Sequence, residues 1–468
     1  MNYLSSFFSS KAIIAYFSVL MICAWLFVPR FLPFIWIFTG LISVFSFFYF
    51  STVLSKQWLK LDSNLFQKNI FLTALIIRTV YVIIIYFFYQ SKNGMPFEFA
   101  AGDSYGYHKS GNWIVDMIYW GGLDYYFKEY RQGISDTGWE LMVAFFYLIS
   151  FRSILFVRLV NAFLSAWMVV MIYKISKRNF GEPAARISAV MAILLPAFWY
   201  YSGTHLKETM MVFLLIFFIE RADNLLHSKR FTFWNILQVA LLGTSLFFFR
   251  TVLAAAAWFA VFSALLLSSN KMMKQYHRTV IIIWFIIASL FVFSGKILDE
   301  VSEYAGMRQI NQEQKFEHFS TRIKGNKLAK YGNAAIFIPL IIPAPFPTLV
   351  NIPEQQNTMM INGDLFTRNI YVFFVFIAFY VLYKQKKLRE NIMLSVFLFS
   401  YLLILANSGY ALSPRFHVPA MPFFLIFAGY GITQTKRNFS SYYVLYVIGI
   451  SIVVVAWNWF KLEGRGLA

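Results

Sequence analysis

Long apolar runs separated by short basic turns dominate this chain, and the runs set the first expectation. Runs of 17 or more apolar residues recur along the chain, each long enough, as a helix, to cross a hydrocarbon core of about 30 Å. Spans are predicted at about 12–28, 31–54, 69–89, 153–173, 183–202, 208–219, 233–249 and 252–268. Five more are predicted at about 279–293, 369–383, 391–405, 417–432 and 442–459, on apolar run length and composition. The pattern thus predicts an all-α polytopic membrane protein with about 13 transmembrane helices, because a helix satisfies its own backbone polar groups in lipid. The apolar stretch 139–150 is only twelve residues long and is expected to lie on the outer surface. Segment 12–28 has the length of a signal peptide, but no small-residue cleavage site follows, so it is expected to stay as an anchor.

Two polar segments interrupt the runs, at 90–152 and 294–368. Loops this long usually carry function or fold into small helices. The second contains the apolar stretch 334–350, broken by Pro339, Pro343, Pro345 and Pro347, which rules out an ordinary spanning helix. Both an interfacial or re-entrant segment and a packed loop fit it. The chain is accordingly divided into a two-span anchor (1–68), a transmembrane core (69–293), the second large loop (294–368) and C-terminal helices (369–468).

Lys and Arg concentrate in one set of turns: Lys56, Lys60 and Lys68; Lys174, Lys177, Arg178 and Arg186; Arg221, Lys229 and Arg230. The set continues with Lys271, Lys274 and Arg278, with Lys384, Lys386, Lys387 and Arg389, and with Lys436 and Arg437. Positive charge resists translocation, so these turns are expected in the cytoplasm together with the N-terminus. Both large loops then face outward.

Composition agrees with that picture. Hydrophobic residues make up 59%, charged residues 13% and aromatics 21%, with a mean hydropathy of +0.60; a soluble domain carries about twice that charge. The net charge of +20 is a topology signal, since no basic stripe with base-stacking platforms is present, and nucleic acid is not an expected partner. The single cysteine, Cys23, supplies neither a disulfide framework nor a thiolate metal site.

The candidate chemistry lies in the outer segments. Asp103, in Gly102-Asp103-Ser104-Tyr105-Gly106-Tyr107-His108, follows a span and precedes an amphipathic stretch running to Trp120. It reads either as a helix N-cap or as a catalytic acid with Tyr105, Tyr107 and His108 beside it. His205, Lys207 and Glu208 crowd a tight turn at a membrane boundary, where uncompensated charge is costly. Glu208 also suits the first turn of a helix, and Lys207 a lipid headgroup. Arg250, Arg415 and His417 sit at outer span ends, where Arg suits either a phosphate or interfacial snorkelling. Arg78, near the middle of a span, is expected to find a structural partner on another span. The sequence shows no phosphate-cradling glycine loop, zinc-binding His-Glu-x-x-His or nucleophile-elbow serine, so a substrate activated beforehand is expected.

These residues together resemble the C-type glycosyltransferase superfamily, polytopic enzymes that take sugar from a polyprenyl phosphate. The resemblance rests on Gly102-Asp103-Ser104-Tyr105-Gly106-Tyr107, on Val157-Arg158-Leu159-Val160-Asn161, on the basic turn from Lys177 to Arg186, on the span ending Tyr200-Tyr201-Ser202 before Glu208, and on Pro414-Arg415-Phe416-His417-Val418-Pro419. It implies a general base, Asp103, with Glu208 as second acid. Tyr105, Tyr107, His108, Lys207, Arg250, Arg415 and His417 are then the substrate- and phosphate-binding candidates, and a divalent metal, Mg or Mn, would fall to Asp103 and Glu208. Many relatives carry a second acid directly after the first, where this chain has Ser104. With nine residues after the last predicted span, a glycolipid or polysaccharide acceptor in the cell envelope is expected rather than a large protein. The implied setting is a bacterial plasma (inner) membrane with the active site on its outer face.

Two rivals share these features. An O-antigen or exopolysaccharide polymerase would rest on Arg308 and Arg322 of the second loop. A lipid-linked glycan flippase or transporter would line several span centres with charge, where the sequence shows only Arg78 clearly.

Overall fold

The computed structural model describes residues 3–126, 135–228, 232–267, 341–406, 411–436, 439–463 and 467. Its helices run α1 (Ser6–Leu26), α2 (Phe34–Gln57), α3 (Ser63–Asn93), α4 (Gly102–Trp120), α5 (Leu123–Tyr125), α6 (Thr137–Ser150), α7 (Ile154–Phe180), α8 (Glu182–Leu194) and α9 (Pro196–Ser202). They continue with α10 (Glu208–His227), α11 (Phe233–Ser245), α12 (Thr251–Leu267), α13 (Gln356–Met360), α14 (Asn362–Lys384), α15 (Ile392–Ala406), α16 (Pro414–His417), α17 (Met421–Gln434) and α18 (Phe439–Glu463). Among the described residues β-structure is confined to an isolated bridge, Phe31 with Val350.

Among the described residues eight helical segments are long and apolar enough to cross a membrane, and the bent pair α8–α9 makes up to nine. The chain is therefore a multi-pass membrane protein. Twelve of the predicted spans fall on helices, whereas 279–293 lies outside the described residues. Stretch 139–150 is the 14-residue α6, about 21 Å long and short of the hydrocarbon core. It packs under α4, where Gly111 lies against Val143.

The break between α8 and α9 shows how lipid-buried backbone is satisfied. Pro196 has no amide hydrogen, so the carbonyl of Ala192 loses its helical donor. Arg78 of α3 takes that carbonyl with Nη2 at 3.0 Å and gives Nε to Ser165 of α7 at 2.7 Å. The Trp199 indole donates to the Ile193 carbonyl at 2.7 Å, and the Ala197 amide finds Asp364 of α14 at 2.8 Å. Arg78 thus has its expected partners on neighbouring spans. It is not alone at depth: Arg158, Asp364 and Arg368 are also buried within helices. The sequence hid them because each lies close to a predicted span boundary.

Helix α14 begins at Asn362, seven residues before the span expected there. The polar residues that made this stretch read as loop are interior partners instead: Asn362 accepts from Tyr16 and donates to the Trp36 carbonyl. The described part of the proline-broken stretch, 341–350, is non-helical and largely buried, a packed segment. Asn369 donates to the carbonyls of Pro343 and Pro345, and Asn458 of α18 donates to that of Pro347 while accepting from the Leu349 amide at 2.7 Å. Non-helical backbone at such depth needs this enclosure.

At one end of the bundle Arg186 donates to the carbonyls of Trp58, Leu59 and Leu61, and Arg178 pairs with Glu220 and Asp223. The opposite end receives the end of α3, the starts of α4, α10 and α14, and α16. Helix α17 reaches its place through glycine: a Cβ on Gly431 would meet the Phe374 carbonyl, and one on Gly429 the Ala184 carbonyl at 2.7 Å. That close approach of α17 to α14 and α8 fixes the residues leading into it, Arg415 among them.

Candidate active site

Asp103 is the second residue of α4 and does not cap it; the helix has no side-chain N-cap bond. Its carboxylate instead accepts from Nη1 of Arg415. Arg415, held in α16 by Pro414, gives its Nε–H to Glu208, the first residue of α10. One guanidinium therefore joins two acids from distant parts of the chain. Glu208 is fully buried and Asp103 largely exposed, with side-chain exposures of 0% and 64%, so the bridge runs from the interior to the open surface.

More cations complete the cluster. Arg250 lies 3.7 Å from Glu208, stacked over Phe416, and its Nη1 is buried without an acceptor among the described residues. Lys207 pairs with Asp136 and donates to the Phe249 carbonyl at 3.0 Å. Burial, aided by Arg250, pulls the Lys207 ammonium down to about 7. Three acids and three cations here nearly cancel, yet Arg250 keeps an unused donor, and Arg415 is shared.

The other candidates divide. Tyr107 lies beside the Arg415 guanidinium. His108 faces Tyr147 at 2.6 Å, and Tyr147 reaches His205 at 3.3 Å, a chain beside the cluster rather than in it. Tyr105 lies at the rim with its ring against Phe97 and Lys109. His417 is not brought to the acids: its Nδ1 accepts from Arg368 at 2.8 Å and its Nε2–H donates to the Ala411 carbonyl at 2.7 Å. It faces the interior, two residues along a tight helix from Arg415. Arg308 and Arg322 lie outside the described residues.

Among the described residues no three of His, Cys, Asp and Glu converge as a metal site. The space between Asp103 and Glu208 belongs to Arg415. A divalent ion bridging those carboxylates would have to displace it, so the residues present do not fit one.

Sequence reading missed two members of the site. Asp136 stands in a turn whose neighbours gave no pattern. Glu98 sits in Pro96-Phe97-Glu98-Phe99-Ala100, where an acid inside an apolar run was the available signal. It is buried, accepts from Ser104 Oγ, and is pushed up from the usual carboxylate range by that burial. Glu98 and Asp103 line a cavity of about 310 Å³ with Tyr200, Tyr201 and Arg415.

A sequence profile of the Alg9-like mannosyltransferase family matches residues 135–301. By this match the chain is a membrane glycosyltransferase, and the matched family is of the C type, which takes sugar from polyprenyl phosphates. The matched stretch, about a third of the chain, holds Asp136, Lys207, Glu208 and Arg250 of the cluster, while Asp103 and Arg415 of this glycosyltransferase lie outside it. No curated protein matches the chain. As a glycosyltransferase of this type it uses a lipid-linked sugar donor and a glycan acceptor in a membrane.

Proposed function

We propose that the glycosyltransferase moves a hexose, most simply a mannosyl group in view of the matched family, from a polyprenyl-phosphate donor to an envelope glycan or glycolipid. The reaction takes place on the outer face of a bacterial plasma membrane. The basic turns at the opposite end of the bundle support that orientation.

The observation that carries the proposal is the shared guanidinium of Arg415, joined at once to Asp103 and Glu208. In the resting site Asp103 is neutralised by Arg415. The donor phosphate, drawn by Arg250 and Lys207, competes for that guanidinium and releases Asp103 as a base. An acceptor hydroxyl gives its proton to Asp103 while its oxygen attacks the anomeric carbon. The bond from that carbon to the phosphate oxygen breaks, and polyprenyl phosphate leaves with its charge against Arg415 and Arg250. Glu208 keeps Arg415 in place throughout. A base at the acceptor and preorganised cations at the leaving group are the two effects such a transfer needs.

The test uses purified full-length protein in detergent with radiolabelled polyprenyl-phosphate mannose and envelope lipid. Asp103→Asn is expected to reduce transfer by at least about a hundredfold with little effect on donor binding. Undiminished transfer would remove the base assignment.

A further inference from the structure

Two buried oxygens beside the cluster have no donor. Glu98 is 6% exposed; its Oε1 accepts from Ser104, and its Oε2 has no partner among the described residues. Asn357, just before α14, donates from Nδ2 to the Phe99 carbonyl, which leaves its own Oδ1 buried and unpartnered. Buried acceptors are rarely left without a donor. Both residues line the 310 Å³ cavity over Asp103 and also an adjoining cavity of about 640 Å³. They form the sill between the two.

The chemistry of the larger cavity says what kind of molecule belongs there. Among the described residues that line it there is no Lys or Arg; its polar groups are Glu98, Glu354 and carboxamides such as Gln355, Gln356 and Asn357. A phosphate is repelled by such a lining, whereas the neighbouring cluster with Arg415, Arg250 and Lys207 attracts one. What the orphaned oxygens require is O–H donors, and carboxamides satisfy hydroxyls in either direction. Phe97, Phe99 and Tyr105 on the same wall offer apolar faces to the C–H side of a pyranose ring. The polar arrangement suits an uncharged, polyhydroxylated ligand.

We propose that Glu98 and Asn357 form the hydroxyl-binding subsite for the sugar acceptor, with Glu98 Oε2 and Asn357 Oδ1 accepting from ring hydroxyls next to the one presented to Asp103. The direction of transfer rests on the reading above; sugar binding at this sill does not. Ser104 then has a role of its own. Where relatives place a second acid after the first, this chain turns a serine to hold an acid from five residues before Asp103.

The experiment has two arms. In the first, full-length protein transfers mannose from undecaprenyl-phosphate mannose to octyl glycosides of mannose, glucose and galactose. Glu98→Gln and Asn357→Ala are each expected to raise the acceptor KM about tenfold or more, with a much smaller change in the donor KM. In the second arm, saturation-transfer NMR follows the same glycosides on the protein with no donor present, with the signal expected for wild type and lost in both variants. That arm stands whatever the donor proves to be, so failure of the donor assignment and failure of this subsite are separable. An unchanged acceptor KM with an unchanged NMR signal overturns the proposal, as does a rise confined to the donor KM, which would place the donor sugar at the sill. Should Glu98→Gln fail to fold, judged by gel filtration, the part-exposed Asn357→Ala decides alone.

Discussion

Arg415 and Glu208 are 207 positions apart in the chain, yet the Nε–H of one is donated to the fully buried carboxylate of the other. Removing the guanidinium takes away the nearer of the two cations at the buried Glu208 carboxylate and leaves Arg250, 3.7 Å away, to offset its charge. Arg415→Ala is therefore expected to lose about 3–5 kcal/mol of stability as well as transfer activity. Pairing it with Glu208→Gln should return much of the thermal midpoint and none of the activity. Arg415→Lys keeps the charge but has no fork to span two carboxylates, so transfer should fall at least about tenfold. Thermal unfolding in detergent and initial rates, measured on all three proteins, check these outcomes together.

Lys207 gives a pH dependence with a definite sign. Burial holds its pKa near 7 in the folded protein, against about 10.4 for an unfolded lysine. Below about pH 7 it is charged in both states, and the full burial penalty applies. As pH rises from about 7 towards 10.4 the folded protein sheds the proton that the unfolded chain retains, so this contribution to stability improves. Donor binding moves the opposite way. The donor KM should rise above about pH 7 by up to tenfold per unit as the ammonium is lost, while Lys207→Gln should show a high, flat profile. A wild-type KM that is level between about pH 6 and 9 would remove Lys207 from the phosphate site.

His417 separates proximity in sequence from proximity in space. Both of its nitrogens are engaged, with Arg368 and the Ala411 carbonyl, on the side away from Asp103. His417→Ala should lower stability by about 1–3 kcal/mol, since it takes the 2.8 Å acceptor from the buried Arg368 and leaves it the longer contacts to the Ile341 and Ile342 carbonyls. The KM values for donor and acceptor in the folded fraction should match wild type.

Arg78→Met tests the repair at the α8–α9 break. The variant leaves the Ala192 carbonyl and Ser165 without their donor. A loss of about 2–3 kcal/mol is expected, read from the thermal midpoint, with transfer by the surviving protein little changed because the partners of Arg78 are Ser165 and the carbonyls of Ala74 and Ala192, none of them in the acid cluster.

Much of the helical architecture was legible in the sequence, because apolar runs of spanning length leave few alternatives in lipid. The expected non-spanning stretch 139–150 and the amphipathic helix ending at Trp120 both appear as such. What misled was polarity. Asn362, Asp364 and Arg368 read as loop residues, although burial with matched partners makes them the start of α14. The cluster of Asp103, Glu208, Arg250 and Arg415 came from loops whose shared end of the bundle the charge pattern suggested. Their joining through one guanidinium was not legible, since it depends on how α16 enters α17. Glu98 was missed because its neighbours are aromatic, and a single acid among phenylalanines leaves no periodic trace.

The enclosed segment 341–350 has a consequence for the order of assembly. Its backbone partners come partly from Asn458, in a helix synthesised well after it, and Lys461 of that helix also holds Gln355 at 3.0 Å. Until residues 439–463 enter the bilayer, the Leu349 amide and the Pro347 carbonyl lack these partners. The sill carrying Asn357 follows directly along the chain. A nascent polypeptide can therefore bring Asp103, Glu208 and Arg250 into the membrane early while the wall that carries Asn357 still waits for residues 439–463 to pack against the segment before it.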